Sequence, residues 1–357
     1  MIYFYLLGLI IVLYGASVDM NYLKRKKKFI IIVSSLLILF SGLRNIYWGP
    51  DDTYNYYILF EKLKDLDYAI IPIVQLEDTF YSIFCKFAGT LLGGSFRLYL
   101  FFVSFLFVGS IGILIYKYSP KVLLSYLIFL SLFYSLSMVL IRQCIAISIL
   151  TFSYKYLVSR KFFKFILIVL IATLFHKTAF VFFIAYPLTY FKFDWKMLLV
   201  YSVICILAIV YGNSLIHSIP QYLLDDRMTG YMGSDNTLSW AGFIQLLLFA
   251  CLTLVYKKQA IVKYPRIEVL YHLLFIAIIF QTGTAIIAEF FRISLYFNVF
   301  LVILVPQVLA SIHIQVDKKL VVNTLSALLL LYYFLSNIEQ DFCFLWEQYE
   351  PKFILTD

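Results

Sequence analysis

Seven ionisable side chains sit among neighbours that are almost all apolar: Arg44, Asp51, Asp52, Arg142, His176, Glu289 and Arg292. Their types suggest two kinds of chemistry. A guanidinium stays charged at any working pH and grips phosphate oxygens with two parallel N–H donors. A histidine or carboxylate within reach of a sugar hydroxyl can take its proton. Each residue also has a plainer reading. Arg142, followed by Gln143, begins an apolar run and is either snorkelling to head groups or a buried site arginine. The second reading is favoured because charges inside membrane segments usually carry function. His176, in Phe175-His176-Lys177-Thr178, is either a helix-end hydrogen-bonding group or a base.

Glu289, Arg292 and Tyr296 fall at i, i+3 and i+7, so a continuous helix puts them on one face. Glu289 and Arg292 then either pair locally or bind a phosphate, the glutamate orienting the arginine. Asp51 and Asp52 are loop carboxylates or a base, and Asp52-Thr53 could cap a short helix. Asp225-Asp226-Arg227 reads as a solvated loop, His217 as a weaker copy of His176, and His272 and His313 as structural.

These residues are carried by a chain that is mostly oil. Of 357 residues, 63% are hydrophobic and 14% charged, with a mean hydropathy of +0.91. Soluble domains run about 45–50% apolar and ~25% charged, so the composition identifies an integral membrane protein. Apolar stretches near twenty residues favour helical spans over a barrel. The net charge of +9 sits in blocks such as Lys24-Arg25-Lys26-Lys27-Lys28 between apolar runs. That is the pattern of cytoplasmic loops, and it argues against nucleic acid as a partner. The five cysteines are scattered, without metal spacing or a paired framework, and read as packing residues. Residues 1–18 read as a retained first span, because the basic cluster follows the apolar run.

The fold class expected is all-α. About twelve spans are predicted, at 2–18, 29–44, 97–116, 121–139, 141–158, 162–175, 177–190, 197–217, 239–256, 268–288, 291–311 and 319–336. The run 78–93 is short and contains Lys86, and it reads as a re-entrant or surface helix. This topology puts nineteen of the 29 Lys and Arg inside and sixteen of the 20 acids outside, the bias required of plasma-membrane loops. Both termini then lie outside. A single transmembrane domain, 1–357, carries two long outer loops, 45–94 and 218–239. No internal repeat is visible, which weighs against a repeat-built transporter.

With this topology the seven outliers all reach the outer side. Several arginines beside few acids suit phosphate, and Tyr47, Trp48, Tyr54, Tyr56 and Tyr57 offer faces and hydroxyls for sugar rings. A ligand with an apolar tail, a phosphate group and a sugar would match all of these surfaces.

At these residues the sequence resembles the EpsG family of bacterial exopolysaccharide-synthesis proteins, a branch of the Wzy-type polysaccharide polymerases. The resemblance rests on Ser41-Gly42-Leu43-Arg44 with Gly49, Asp51-Asp52-Thr53 and Asn55-Tyr56, and on Glu77 with Phe80-Tyr81. It continues in Ile141-Arg142-Gln143, in Phe175-His176-Lys177-Thr178-Ala179 and in Glu289-x-x-Arg292-x-x-x-Tyr296. The doubled aspartate departs from the family pattern: one spacing selects Asp51 and the other Asp52.

The resemblance implies a bundle compatible with the glycosyltransferase-C architecture. It also implies an enzyme joining repeat units carried on undecaprenyl diphosphate at the outer face of the bacterial plasma membrane, without metal or cofactor. Arg142, Arg292 and Arg44 would bind diphosphate, and His176, Asp51 or Asp52 would act as base. Gln143, Glu289, Tyr296, Tyr56 and Glu77 would contact substrate. A chain-length regulator and a flippase of the same pathway would be its partners, besides membrane lipids. The competing readings are a flippase for lipid-linked oligosaccharide, a glycosyltransferase adding single sugars from a lipid phosphate, an acyltransferase, and a structural partner without chemistry.

Overall fold

The computed structural model describes residues 2–18, 20, 22–46, 52–74, 78–217, 238–313, 315–337 and 342–347. Helix makes up 83% of the structure, and no strand occurs among the described residues. A chain this apolar satisfies its backbone groups within each helix, which is the requirement hydrocarbon imposes.

Among the described residues, three helices are long and apolar enough to cross a membrane: Phe96–Tyr118, Pro265–Ala285 and Lys318–Ser336. Two bent pairs raise the number to five. Trp240–Val255 and Lys257–Lys263 meet at 68°, and Phe290–Asn298 and Leu301–Ser311 at 44°. Other expected spans fall on shorter helices, among them Ile2–Ser17, Phe162–Phe175 and Lys177–Leu188. The differences have local causes. The run 121–139 contains a π-helical turn, Leu130–Tyr134, and the run 177–190 begins as a 3-10 helix, Lys177–Ile184.

The chain forms two compact units. The first comprises Met1–Ser153, Leu167–Lys177 and Val321–Asp357, and the second Tyr154–Ile166 and Thr178–Leu320. In the first unit α1 (Ile2–Ser17), α2 (Leu23–Gly42), α3 (Asp52–Asp65), α4 (Ile71–Val74), α5 (Thr79–Leu91) and α6 (Phe96–Tyr118) are followed by α7 (Val122–Phe129) and α8 (Ser135–Ser137). Helices α9 (Ile141–Val158) and α10 (Phe162–Phe175) come next.

Helices α2 and α6 pack closely through small residues. A Cβ at Gly42 would collide with the edge of the Phe101 ring, and one at Gly112 would crowd Ser34 Oγ. Ser41 and Ser104 share a hydrogen bond of 2.8 Å across the same seam. Small residues and hydroxyl pairs are what bring helices together where lipid supplies no hydrophobic drive.

Helix α5 is the 78–93 run. At 13 residues, or about 20 Å, it is too short to cross ~30 Å of hydrocarbon. Lys86 Nζ donates to the carbonyls of Leu63 (2.9 Å) and Lys64 (2.8 Å), closing the last turn of α3. The helix ends where Gly93 and Gly94 adopt φ of 66° and 73°. Their amides return to Thr90 (3.2 Å) and Gly89 (2.8 Å), a glycine-dependent cap.

The C-terminal segment folds back on the first unit. Asn45 N–H donates to Cys343 O (2.8 Å) and Leu345 N–H to Leu43 O (3.0 Å), a short antiparallel bridge around Arg44 and Phe344. Phe342 stacks on Phe40 at 4.3 Å and meets Phe4 at 5.3 Å. Tyr3 Oη donates to the Glu347 carboxylate, which also accepts from the Phe344 amide. Those two bonds hold the Glu347 carboxyl below its ordinary range.

The second unit contains α11 (Ala185–Leu188), α12 (Trp195–His217), α13 (Trp240–Val255), α14 (Lys257–Lys263), α15 (Glu268–Thr282), α16 (Phe290–Asn298) and α17 (Leu301–Ser311). It ends in the start of α18 (Gln315–Ser336). Helix α15 is its core, and its histidine is structural: His272 Nδ1 meets Tyr201 Oη at 2.7 Å and Nε2 meets Phe191 O at 3.0 Å.

The α2–α6 seam yields a direct test. Gly42→Val overpacks it and costs about 1–3 kcal/mol. A Cβ at Gly109, on helix α6, meets no heavy atom within 4 Å. Thermal unfolding in detergent should therefore show a lower Tm for Gly42→Val and an unchanged one for Gly109→Ala.

Candidate active site

The first unit is organised around Arg142, the second residue of α9. The chain stops being helical at Met138, turns through Val139 and Leu140, and restarts at Ile141. This turn is braced from two directions. Arg44, 2% exposed, donates from Nη1 to Ser41 O (2.6 Å) and Ser41 Oγ (3.0 Å), and from Nη2 to Met138 O (2.9 Å). Thr53 Oγ1, on the first turn of α3, donates to the same Met138 carbonyl at 3.4 Å. The buried arginine thus ties the end of α2 to the turn that presents Arg142.

Arg142 itself reaches across to α3 and α5. Its Nη1 forms an ion pair with Asp78 Oδ2 at the start of α5, and its Nε donates to Tyr56 Oη at 3.3 Å. The guanidinium carbon lies 5.6 Å from the ring centres of both Tyr56 and Tyr81. Tyr81 is fixed in turn by Tyr99 Oη at 3.1 Å. Cation–π contact on two rings and a carboxylate pair hold the charge in place. The side chains of Arg142 and Asp78 remain 25% and 27% exposed, so the guanidinium is rigid yet reachable. A cation at a helix N-terminus opposes the helix dipole. An anion bound there would meet both the guanidinium and the positive end of the helix dipole.

Helix α5 also carries the histidine segment. Phe175, next to His176, packs edge-on against Phe80 and Phe84, each at 5.0 Å. His176 is half-buried at the junction of α10 and the 3-10 helix, and its amide donates to Ala172 O at 3.1 Å. Asp52 opens α3 one turn before Tyr56. Asp51 and Glu77 lie outside the described residues. Gln143, 2% exposed, faces the interior of the unit.

Down α9 from Arg142, an apolar cavity of about 240 Å³ opens between α5, α6 and α9. Ile145, Ile149 and Phe152 line it and follow Arg142 along one stripe of the helix. Gly109 and Phe105 of α6 and Phe84 of α5 form the facing wall.

The second unit holds the remaining sequence-derived residues. Glu289 precedes α16, and the Arg292 amide donates to its backbone carbonyl at 2.8 Å. Glu289 Oε2 is buried and has no hydrogen-bond partner among the described residues. The Arg292 guanidinium lies 5.8 Å from the Phe291 ring centre. Tyr296 is fully buried, its hydroxyl 3.0 Å from Thr178 Oγ1. Arg44, Arg142 and His176 thus belong to one unit, and Glu289, Arg292 and Tyr296 to the other. Among the described residues no group of three His, Cys, Asp or Glu side chains is placed to share a metal ion.

Sequence reasoning selected Glu77 and missed its neighbour Asp78 as the partner of Arg142. The available signal was a carboxylate opening a short helix whose next turn is Phe80-Tyr81, in a chain where acids are few.

Fold and site together define a helical membrane protein with an arginine-centred, partly open polar site at the head of an apolar groove. The model of the EpsG family matches residues 27–350, nearly the whole chain. The chain belongs to the EpsG family. No curated protein and no solved structure matches it.

The Arg142–Asp78 pair should be energetically coupled. Asp78→Asn and Arg142→Gln should each lower Tm, and the double variant should be more stable than the sum of the two losses by about 1 kcal/mol. A double-mutant cycle by thermal unfolding in detergent reads this value, and strict additivity would mean the pair is incidental.

Proposed function

We propose that the protein is a polysaccharide polymerase of the bacterial plasma membrane. It transfers oligosaccharide repeat units between undecaprenyl-diphosphate-linked donor and acceptor at the outer face. The observation that carries this reading is a braced, solvent-reachable guanidinium at the head of an apolar groove on the same helix. A lipid with a phosphate head and a hydrocarbon tail is the ligand that needs both. Membership of the EpsG family supports an exopolysaccharide role. The twelve-span topology with both termini outside belongs to the same proposal. It counts the broken and shorter apolar helices as spans, and it rests on the lysine and arginine bias of the loops.

The reaction follows from the residues. A hydroxyl of the acceptor sugar attacks the anomeric carbon of the donor unit. The bond from that carbon to the diphosphate oxygen breaks, and its electron pair leaves with the lipid diphosphate. Arg142 meets the negative charge that grows on the leaving group. The hydroxyl proton passes to a base, for which His176, Asp51 and Asp52 are the candidates. Diphosphate leaves readily, so neither a protonating acid nor a metal is required.

Arg44 contributes by holding the Met138 carbonyl and with it the turn that aims Arg142. For the second unit the proposal assigns Arg292 as a phosphate ligand and Glu289 as a substrate contact, while Tyr296, fully buried against Thr178, positions that segment. Tyr56 and Glu77 complete the substrate contacts proposed for the first unit, and Gln143, buried beside Arg142, supports it from the interior. A flippase and a chain-length regulator of the same pathway are the protein partners this reaction calls for.

Two experiments in cells test the reading. With protein levels matched, Arg142→Ala should reduce polymer by about 10²–10³-fold, the loss typical of one charge-stabilising donor. His176→Ala should reduce it by at least about 10²-fold if His176 is the base. Lipid-linked glycan gels should show single repeat units accumulating on the outer leaflet. An intact ladder in Arg142→Ala would overturn the assignment, and accumulation on the inner leaflet would make the protein a flippase. Separately, Gly109→Phe should fill the groove without disturbing the fold. Tm should stay near wild type while the ladder is lost, and a full ladder would remove the groove from the donor site.

A further inference from the structure

The second unit contains a cavity that none of the polymerase chemistry uses. At one end of this unit several connections are drawn together. Arg160 Nη2 donates to Thr189 O at 2.5 Å, and Tyr186 Oη donates to Arg160 O at 2.8 Å. Lys257 Nζ reaches Phe193 O, and Lys263 Nζ reaches Ala310 O at 2.8 Å. Between the segments 158–160, 189–192 and 265–269 lies a cavity of about 510 Å³. Its charged wall consists of Arg160, Lys192 and Arg266, opposed by Glu268 alone.

Arg160 occupies a position that disfavours it. Helix α9 ends in a cap in which the Arg160 amide returns to Leu157 O (3.1 Å) and the Lys161 amide to Tyr156 O (2.9 Å). That cap requires a left-handed residue, and Arg160 adopts φ of 52°. Among the described residues it is the only one other than glycine with positive φ. Glycine or asparagine is the usual occupant, and a Cβ there costs about 1 kcal/mol or more. A favourable helix-dipole contact does not explain the choice, since Lys155 and Lys161 stand on either side. The strained backbone instead fixes a guanidinium at the cavity wall, 4.9 Å from the ring centre of Tyr190.

The surroundings are those of a membrane interface. Tyr190 and Phe191 on the cavity wall are 58% and 56% exposed, and Trp195, three residues along the chain from Lys192, is 70% exposed. Exposed aromatics of this kind settle at the head-group level. Basic pockets between membrane helices on the positively charged side take anionic lipid head groups.

We propose that this cavity is a seat for the phosphate-bearing head group of an anionic phospholipid, with Arg160, Lys192 and Arg266 as its phosphate ligands. The proposal rests on the membrane reading of the chain and is independent of the polymerase reaction.

Native mass spectrometry of the full chain in mild detergent tests it. The probe is phosphatidylglycerol, compared with phosphatidylcholine at equal micellar fraction. Wild type should retain phosphatidylglycerol about tenfold better than phosphatidylcholine, and Arg160→Gln with Arg266→Gln should remove the preference. Arg160→Gly separates binding from folding: it relieves the backbone, so Tm should hold or rise while phosphatidylglycerol retention falls. Equal retention of the two lipids by wild type, or unchanged retention in the variants, would overturn the proposal. Displacement of the bound lipid by millimolar inorganic phosphate would also overturn it, in favour of a soluble phosphate compound.

Discussion

A guanidinium set among apolar helices must be met by other polar groups, because a charge left bare in such surroundings costs several kcal/mol. In this protein that requirement fixes the geometry of the first unit. Arg142 draws Asp78 from α5 and Tyr56 from α3, so a short helix unable to span the membrane becomes the platform of the site. Arg44 meets the same requirement in another way. It faces carbonyl oxygens, and by holding Met138 O it stabilises the break between α8 and α9. The break places Arg142 at a helix start, where it remains partly open to an anion. Arg44 is therefore occupied with the protein itself, whereas Arg142 retains an exposed face for ligand.

Much of this was legible in the chain. The apolar runs fixed the class, and runs such as 97–116 and 141–158 correspond closely to Phe96–Tyr118 and Ile141–Val158. Arg142 stood out because its flanks are oil. Lys86 told against a span at 78–93, and in the structure its ammonium closes the last turn of α3. The Asp78 pairing was hidden because it joins residues 64 positions apart, and no local spacing records such a contact. The π-helical turn at Leu130–Tyr134 was also hidden. It depends on tertiary bonds, with Ser131 Oγ donating to Leu127 O and to Leu329 O of α18, and Tyr134 Oη donating to Leu37 O. Nor does hydropathy reveal two compact units whose boundaries fall inside α9, α10 and α18.

The two ends of the charge pattern serve different purposes in this account. Under the proposed function, outlying charges within apolar runs carry the chemistry and charges gathered at loop ends meet the lipid surface. Arg160 belongs to the second group by position, yet its backbone strain marks it as chosen for its side chain. The C-terminal segment adds a further constraint. Its bridge to residues 43–45 and the Glu347 contacts to Tyr3 and Phe344 clamp the chain on both sides of Arg44. Loss of that clamp would reach Arg142 through Arg44 and Met138.

In the proposed reaction Arg142 stabilises charge on a departing lipid diphosphate. The most direct measurement is single-turnover release of lipid diphosphate by purified protein in vesicles, supplied with lipid-linked repeat unit as both donor and acceptor. Arg142→Ala should slow the bond-breaking step by about 10²-fold or more at saturating donor, with Tm still showing a folded protein. An unchanged rate at saturating donor, with only weaker binding, would contradict it.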